Sequence, residues 1–189
     1  MNETTDTDNH AARCASPRVL TRVEDRVLHI VINRPERHNA LDSATHAQLA
    51  DAFDRFAADD GLWIAVIRGA GEQAFCAGGD IKAMNDAAKG GESYVAPPSG
   101  YGGLTSRFDL NKPVIAAVNG LALGGGFEIA LAADIVIAVE HARFGLPEPL
   151  IGVAALAGGL HRLPRQIGMK RAMGLLLSGD SIDARTALA

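Results

Sequence analysis

Cysteine is scarce in this 189-residue chain: Cys14 and Cys76 are the only two. Cys14 lies in a polar, acidic stretch, residues 1–17, that reads as a disordered leader, so a structural disulfide is not expected. No Cys/His set has metal-ligand spacing, and no metal is expected. Aromatic residues make up only 5% of the chain, which argues against an aromatic binding platform. Charge of one sign is not in large excess. The formal net charge is −4, and nothing in that balance calls for nucleic acid. Long hydrophobic runs are missing too. The longest, Ile129 to Val139, is interrupted by Asp134 and is too short to cross a bilayer. Residues 1–17 lack the apolar stretch of a signal peptide and the Arg/Ser richness of a transit peptide, so a cytoplasmic protein is expected.

What is present is Ala, Gly and short apolar segments, enough for one α/β-sized domain over 18–189. Val19–Val23 and Val27–Ile32, parted by Glu24-Asp25, predict a β-hairpin. Asp42-Ser43 reads as an N-cap, and Leu49, Ala52, Phe53 and Phe56 recur at helical spacing to about Ala58. Trp63–Ile67 reads as a strand buried on both faces. Phe75–Gly79 reads as a loop, with Asp80 capping a helix to about Ala87. Residues 89–103, rich in Gly, Pro and Ser, read as a mobile loop over a site. Pro113–Val118 predicts a strand, Gly120–Gly126 a turn, Phe127–Ala132 a helix and Ile135–Ala138 a strand. Gly158 to Ala189 reads as helical. Strands alternating with helices imply a sheet with crossover connections.

Three features point to chemistry. Gly124-Gly125-Gly126 stands between a strand and a helix, where glycine destabilises ordinary structure by roughly 0.5–1 kcal/mol per residue against Ala. Its use there is close backbone approach, with free N–H groups at a helix start facing negative charge. The spacing Gly120-x-x-x-Gly124 is not a dinucleotide fingerprint, and no Lys-Ser/Thr follows to make a P-loop. Glu128 places a carboxylate in an otherwise apolar helix, where burial costs several kcal/mol unless the group is paired. Glu148 follows Pro147, and a strand out with a loop back can return it to the same edge as Glu128. The plain alternatives are a solvated helix residue for Glu128 and a surface turn for Glu148. Phe75–Lys82 adds a second glycine turn before a helix. Two such turns can each lend one N–H to a single oxygen, an oxyanion hole made wholly of backbone.

These segments together resemble the crotonase (enoyl-CoA hydratase/isomerase) superfamily. The resemblance is carried by Asn33–Leu41, Phe75–Lys82, Lys112–Gly120 running into Gly124–Glu128, Phe144–Glu148, and Gly158–Gly168, in order from about Arg18 onward. It implies a spiral of ββα units with a helical C-terminal part, assembled as a homotrimer or hexamer. It implies an acyl-CoA thioester as the bound partner, with coenzyme A as part of the substrate and no further cofactor. The N–H groups of Gly79 and Gly125 would hold the thioester oxygen. Arg37, His38 and Ala40, with Ala77, Gly79, Asp80, Ile81, Lys82 and Gly125, would line the CoA and acyl path. Glutamates at both 128 and 148 resemble the enoyl-CoA hydratases, Glu128 activating water and Glu148 protonating C2.

Residues Gly102–Pro113 and Gly126–Asp134 also resemble the carnitinyl-CoA dehydratase branch, so dehydration of that ester, or isomerisation of an enoyl-CoA, stands as an alternative. Two departures are visible. Ala155 and Leu156 replace the family's usual Pro and small or polar residue, which predicts a greasier acyl pocket. The chain also stops at Ala189, where family members continue with several helices. The C-terminal helices are therefore expected to be incomplete, which adds a catalytically impaired CoA-binding subunit to the alternatives.

Overall fold

A computed structural model describes residues 17–189. The expected leader, apart from Pro17, lies outside the described residues, as does Cys14. The chain opens with β1 (Val19–Glu24) and β2 (Val27–Ile32), an antiparallel hairpin, then α1 (Ser43–Ala58). Next come β3 (Ile64–Gly69), β4 (Ala74–Cys76) and α2 (Ile81–Ala88). A further turn is β5 (Val114–Val118), β6 (Leu121–Leu123) and α3 (Gly125–Ala132). After it come β7 (Ile135–Ala138), β8 (Arg143–Gly145) and a 3-10 turn, Glu148–Ile151. The chain ends with α4 (Gly159–Ile167), α5 (Met169–Ser178), β9 (Ser181–Asp183) and α6 (Ala184–Leu188).

Two sheets share these strands: a five-stranded one in the order β1-β2-β3-β5-β7 and a four-stranded one in the order β4-β6-β8-β9. The rule behind them is simple. Each turn after the hairpin lays its first strand in the larger sheet and its second in the smaller one, parallel to the turn before. That is the ββα spiral.

One face of the larger sheet is driven inward by alternation. Leu28, Ile30, Ile32, Ala65, Ile67, Val114, Ala116 and Val118 are all buried. They meet Leu49, Phe53 and Phe56 of α1, the residues picked out by helical spacing, and Phe75 of β4. The strand predicted to be buried on both faces is not: Ile64 and Val66 are only half-buried, and Trp63 is 57% exposed beside Arg26. The other differences are the small strands. The predicted loop at 75–79 begins inside β4, the predicted turn at 120–126 contains β6, and the C-terminal region contains β9 as well as helices. None of the described helices is long and apolar enough to cross a membrane.

Candidate active site

The first glycine turn joins β4 to α2. Gly78 holds φ +93, a backbone region that side-chain-bearing residues rarely adopt. Leu41 N–H donates to Gly78 C=O at 2.8 Å and Asp80 N–H donates to Leu41 C=O at 2.8 Å. The two bonds bracket Gly79 and leave its own N–H without an acceptor among the described residues. Asp80 then caps α2 as expected, Oδ1 accepting from Lys82 N–H at 3.1 Å and Ala83 N–H at 3.2 Å. Its other oxygen takes Arg34 Nη2 at 2.8 Å. Burial pushes the Asp80 carboxyl up, but the Arg34 guanidinium and the Ala83 N–H bring it below its usual value.

Arg34 was not singled out from sequence. Buried at the end of β2, it also donates to Ala40 C=O at 2.5 Å and lies 3.2 Å from Asp42, which pairs in turn with Arg18. Asn39 in its left-handed conformation accepts from Arg34 N–H at 2.9 Å and donates to Ala74 C=O at 2.7 Å. Ala77 N–H reaches His38 C=O at 3.0 Å. The expected CoA-lining segments, 37–40 and 77–82, therefore run side by side. Arg37, His38, Ile81 and Lys82 are exposed, Ala77 is half-buried and Ala40 is buried.

The second turn joins β6 to α3 and is held differently. Gly124 has φ +53 and supplies no side-chain cap, so the N–H of Gly125 is among the unpaired donors of the helix start. The two turns pack backbone to backbone. A Cβ on Gly78 would lie 3.4 Å from the Gly125 nitrogen, and one on Gly126 would overlap the Cys76 carbonyl.

Glu128 is 3% exposed, and its Oε1 accepts from Gly159 N–H, at the start of α4, at 2.9 Å. Burial pushes its carboxyl up to about 7, against the Gly159 bond and with help from the Glu148 charge. Glu148 comes back to the same turn from β8. Its Oε1 lies 3.1 Å from where a Cβ on Gly124 would stand, and its buried Oε2 has no partner among the described residues. Burial raises its pKa as well. The structure thus brings Gly79, Gly125, Glu128 and Glu148 to one place.

The sequence profile described as "Enoyl-CoA hydratase/isomerase" matches residues 22–189. This chain belongs to the enoyl-CoA hydratase/isomerase family. Among its relatives, a carnitinyl-CoA dehydratase of Proteus mirabilis is 44% identical over 162 residues, covering 86% of this chain and 61% of that protein. A mevalonyl-coenzyme A hydratase of Beauveria bassiana is 48% identical over 169 residues, covering 85% and 60%. A crystal structure of an enoyl-CoA hydratase from Mycobacterium marinum superposes with TM-score 0.83 at 45% identity, covering 91% of this chain and 66% of that one. The chain spans about three-fifths of the length of these curated relatives.

Other residues around the site had no individual role assigned from the sequence of this family member: His46, Tyr94, Tyr101, Arg34, Gly159 and Arg162. A signal for two of them was present. The chain has only 2 tyrosines, and both fall in the 89–103 segment. Tyr101 packs its ring against Gly125, where any Cβ would overlap it.

Proposed function

We propose that this chain carries the acyl site of a hydratase that adds water reversibly across the C2–C3 double bond of a 2-enoyl-CoA. Attack at C3 moves an electron pair onto the thioester oxygen, and the N–H groups of Gly79 and Gly125 are the donors offered to that charge. Each such donor contributes typically ~2.7–4 kcal/mol to the transition state. Glu128, ionised, takes a proton from water as the C3–O bond forms. Glu148, neutral, gives its proton to C2, and solvent restores the two carboxyl groups. One charged and one neutral carboxyl suits two buried acids whose pKa values are both raised. Arg37, His38, Ala40, Asp80, Ile81 and Lys82 would flank the CoA portion. Coenzyme A travels with the substrate, and the chemistry calls for no further cofactor.

The observation that carries this reading is the return of Glu148 to the glycine turn that starts the helix of Glu128. The test is loss of enoyl absorbance with crotonyl-CoA. Glu128→Gln is expected to lower kcat by roughly 10²–10⁴-fold with little change in KM. Equal turnover by the variant refutes the assignment.

A second reading, dehydration of a carnitinyl-type ester, is favoured by relatives named for polar acyl groups at 44–48% identity. Product identity across a thioester panel separates the two. Assembly as a homotrimer or hexamer belongs to the same proposal. It is supported by edge strand β7, where Ile135, Val136 and Ile137 are 51%, 44% and 60% exposed.

A further inference from the structure

We propose that Tyr101 selects among acyl chains, its phenol oxygen accepting a hydrogen bond from a hydroxyl carried beyond C3 of the acyl group. The proposal rests on the acyl-CoA reading above and names the substrate class within it.

Tyr101 approaches both glycine turns. Its ring lies on the Cα face of Gly125, and its hydroxyl is 3.5 Å from where a Cβ on Gly79 would be. The segment bearing it is tied down at several points. Ser43 Oγ donates to Ser93 C=O and accepts from Val95 N–H, both at 3.0 Å. Tyr101 N–H donates to Thr105 Oγ1 at 2.8 Å, and Arg162 Nη2 donates to Thr105 C=O at 2.8 Å.

The direction of every hydrogen bond around the phenol follows from one backbone contact. Gly102 N–H donates to Nδ1 of the fully buried His46 at 3.0 Å. Burial lowers the pKa of this histidine to about 4, so the ring is neutral and its proton sits on Nε2. Nε2–H therefore donates to the Tyr94 oxygen at 3.0 Å. Tyr94 O–H donates to Leu41 C=O at 3.1 Å. One lone pair remains on Tyr94, and the Tyr101 O–H faces it at 3.4 Å. Tyr101 is thus the donor in that long bond, and its own oxygen receives no hydrogen bond among the described residues.

An apolar pocket needs only a phenylalanine here. A half-buried phenol oxygen with idle lone pairs is open to a donor carried by a bound group. Burial also holds the phenol well above its usual pKa, so it stays protonated and serves as a hydrogen-bonding group, not a base. In the acyl-CoA reading Glu128 and Glu148 serve C3 and C2, so the donor that fits Tyr101 is a hydroxyl farther along the chain.

The test uses saturated esters, which undergo no hydration, and the full chain in a calorimeter. 4-Hydroxybutyryl-CoA is compared with its isostere pentanoyl-CoA, and 5-hydroxypentanoyl-CoA with hexanoyl-CoA. The wild-type protein is expected to prefer one hydroxy ester over its isostere by about 3–10-fold, the worth of one neutral hydrogen bond. Tyr101→Phe keeps the ring against Gly125 and is expected to erase the preference by weakening the hydroxy ester. Tyr94→Phe is expected to keep it. A preference for both alkyl esters in the wild type, or one that survives Tyr101→Phe, overturns the proposal. So does a preference lost in Tyr94→Phe but kept in Tyr101→Phe. Failure of every CoA ester to bind the wild-type protein instead defeats the acyl-CoA reading and takes this inference with it.

Discussion

The two glycine turns do the same geometric task by opposite means. The turn at Gly78–Gly79 leads into α2, a helix with no buried residue, and is held by polar groups: the Asp80 cap, Arg34 and the chain of ion pairs through Asp42 to Arg18. The turn at Gly124–Gly125 leads into α3, buried along nearly its whole length, and has no side-chain cap at all. Packing positions it, together with one backbone bond from Gly124 N–H to Gly145 C=O at 2.9 Å. The difference follows from what each must leave free. A side-chain cap at the second turn would need a Cβ on residue 124, at φ +53 and 3.1 Å from Glu148 Oε1. At the first turn the free N–H belongs to Gly79, one residue ahead of the cap, so Asp80 can satisfy the helix without covering it.

If packing, not a side-chain cap, holds the second turn, added volume breaks it most. Gly126→Ala drives a Cβ into the Cys76 carbonyl, backbone that cannot step aside. A loss of about 3 kcal/mol in denaturant-unfolding stability is expected.

The next effect is electrical. Glu128 forms no salt bridge among the described residues, and although the Arg162 charge opposes the shift, burial raises its pKa from 4.5 to about 7 on folding. Its contribution is fully present below pH 4.5 and is lost as pH rises to about 7, as much as ~3 kcal/mol in all. Glu128→Gln should remove that decline, read as the difference between variant and wild type across the window. The difference is needed because His46, with its pKa lowered to about 4, slopes the other way: its stabilisation is lost as pH falls from 6.5 to about 4.

Smallest is the polar turn itself. Asp80→Ala removes a cap and one partner of Arg34, while Ala40 C=O and Asp42 remain. A loss of about 1–2 kcal/mol in urea unfolding is expected. Because the Asp80 pKa is lowered on folding, the wild-type contribution is present above 3.8 and fades only as pH falls through the folded value, the reverse of Glu128.

The same contrast explains what could be read from the amino acids. Long elements with a period were legible: the β1–β2 hairpin, α1 with Leu49, Phe53 and Phe56 inward, and Asp80 as a cap. The three-residue strands β4, β6, β8 and β9 were not, because three residues show no period and pairing across the sheet is what makes them strands. Within the site, Glu128 and Glu148 stood out as carboxylates in apolar or proline-bound settings. Gly159, His46 and Arg34 received no role of their own, since each acts through a partner 31, 56 or 46 residues away. Nothing local distinguishes Arg34 from a surface arginine until the spiral brings Asp80 to it.

The central claim is that the Gly79 and Gly125 amides meet at one thioester oxygen. Infrared difference spectroscopy of carbonyl-labelled crotonyl-CoA bound to Glu128→Gln, where turnover is expected to be suppressed, reads that directly. The bound carbonyl stretch should fall below that of the free ester, because two N–H donors draw charge onto the oxygen. A bound ester whose carbonyl stretch stays at the solution frequency would contradict the account.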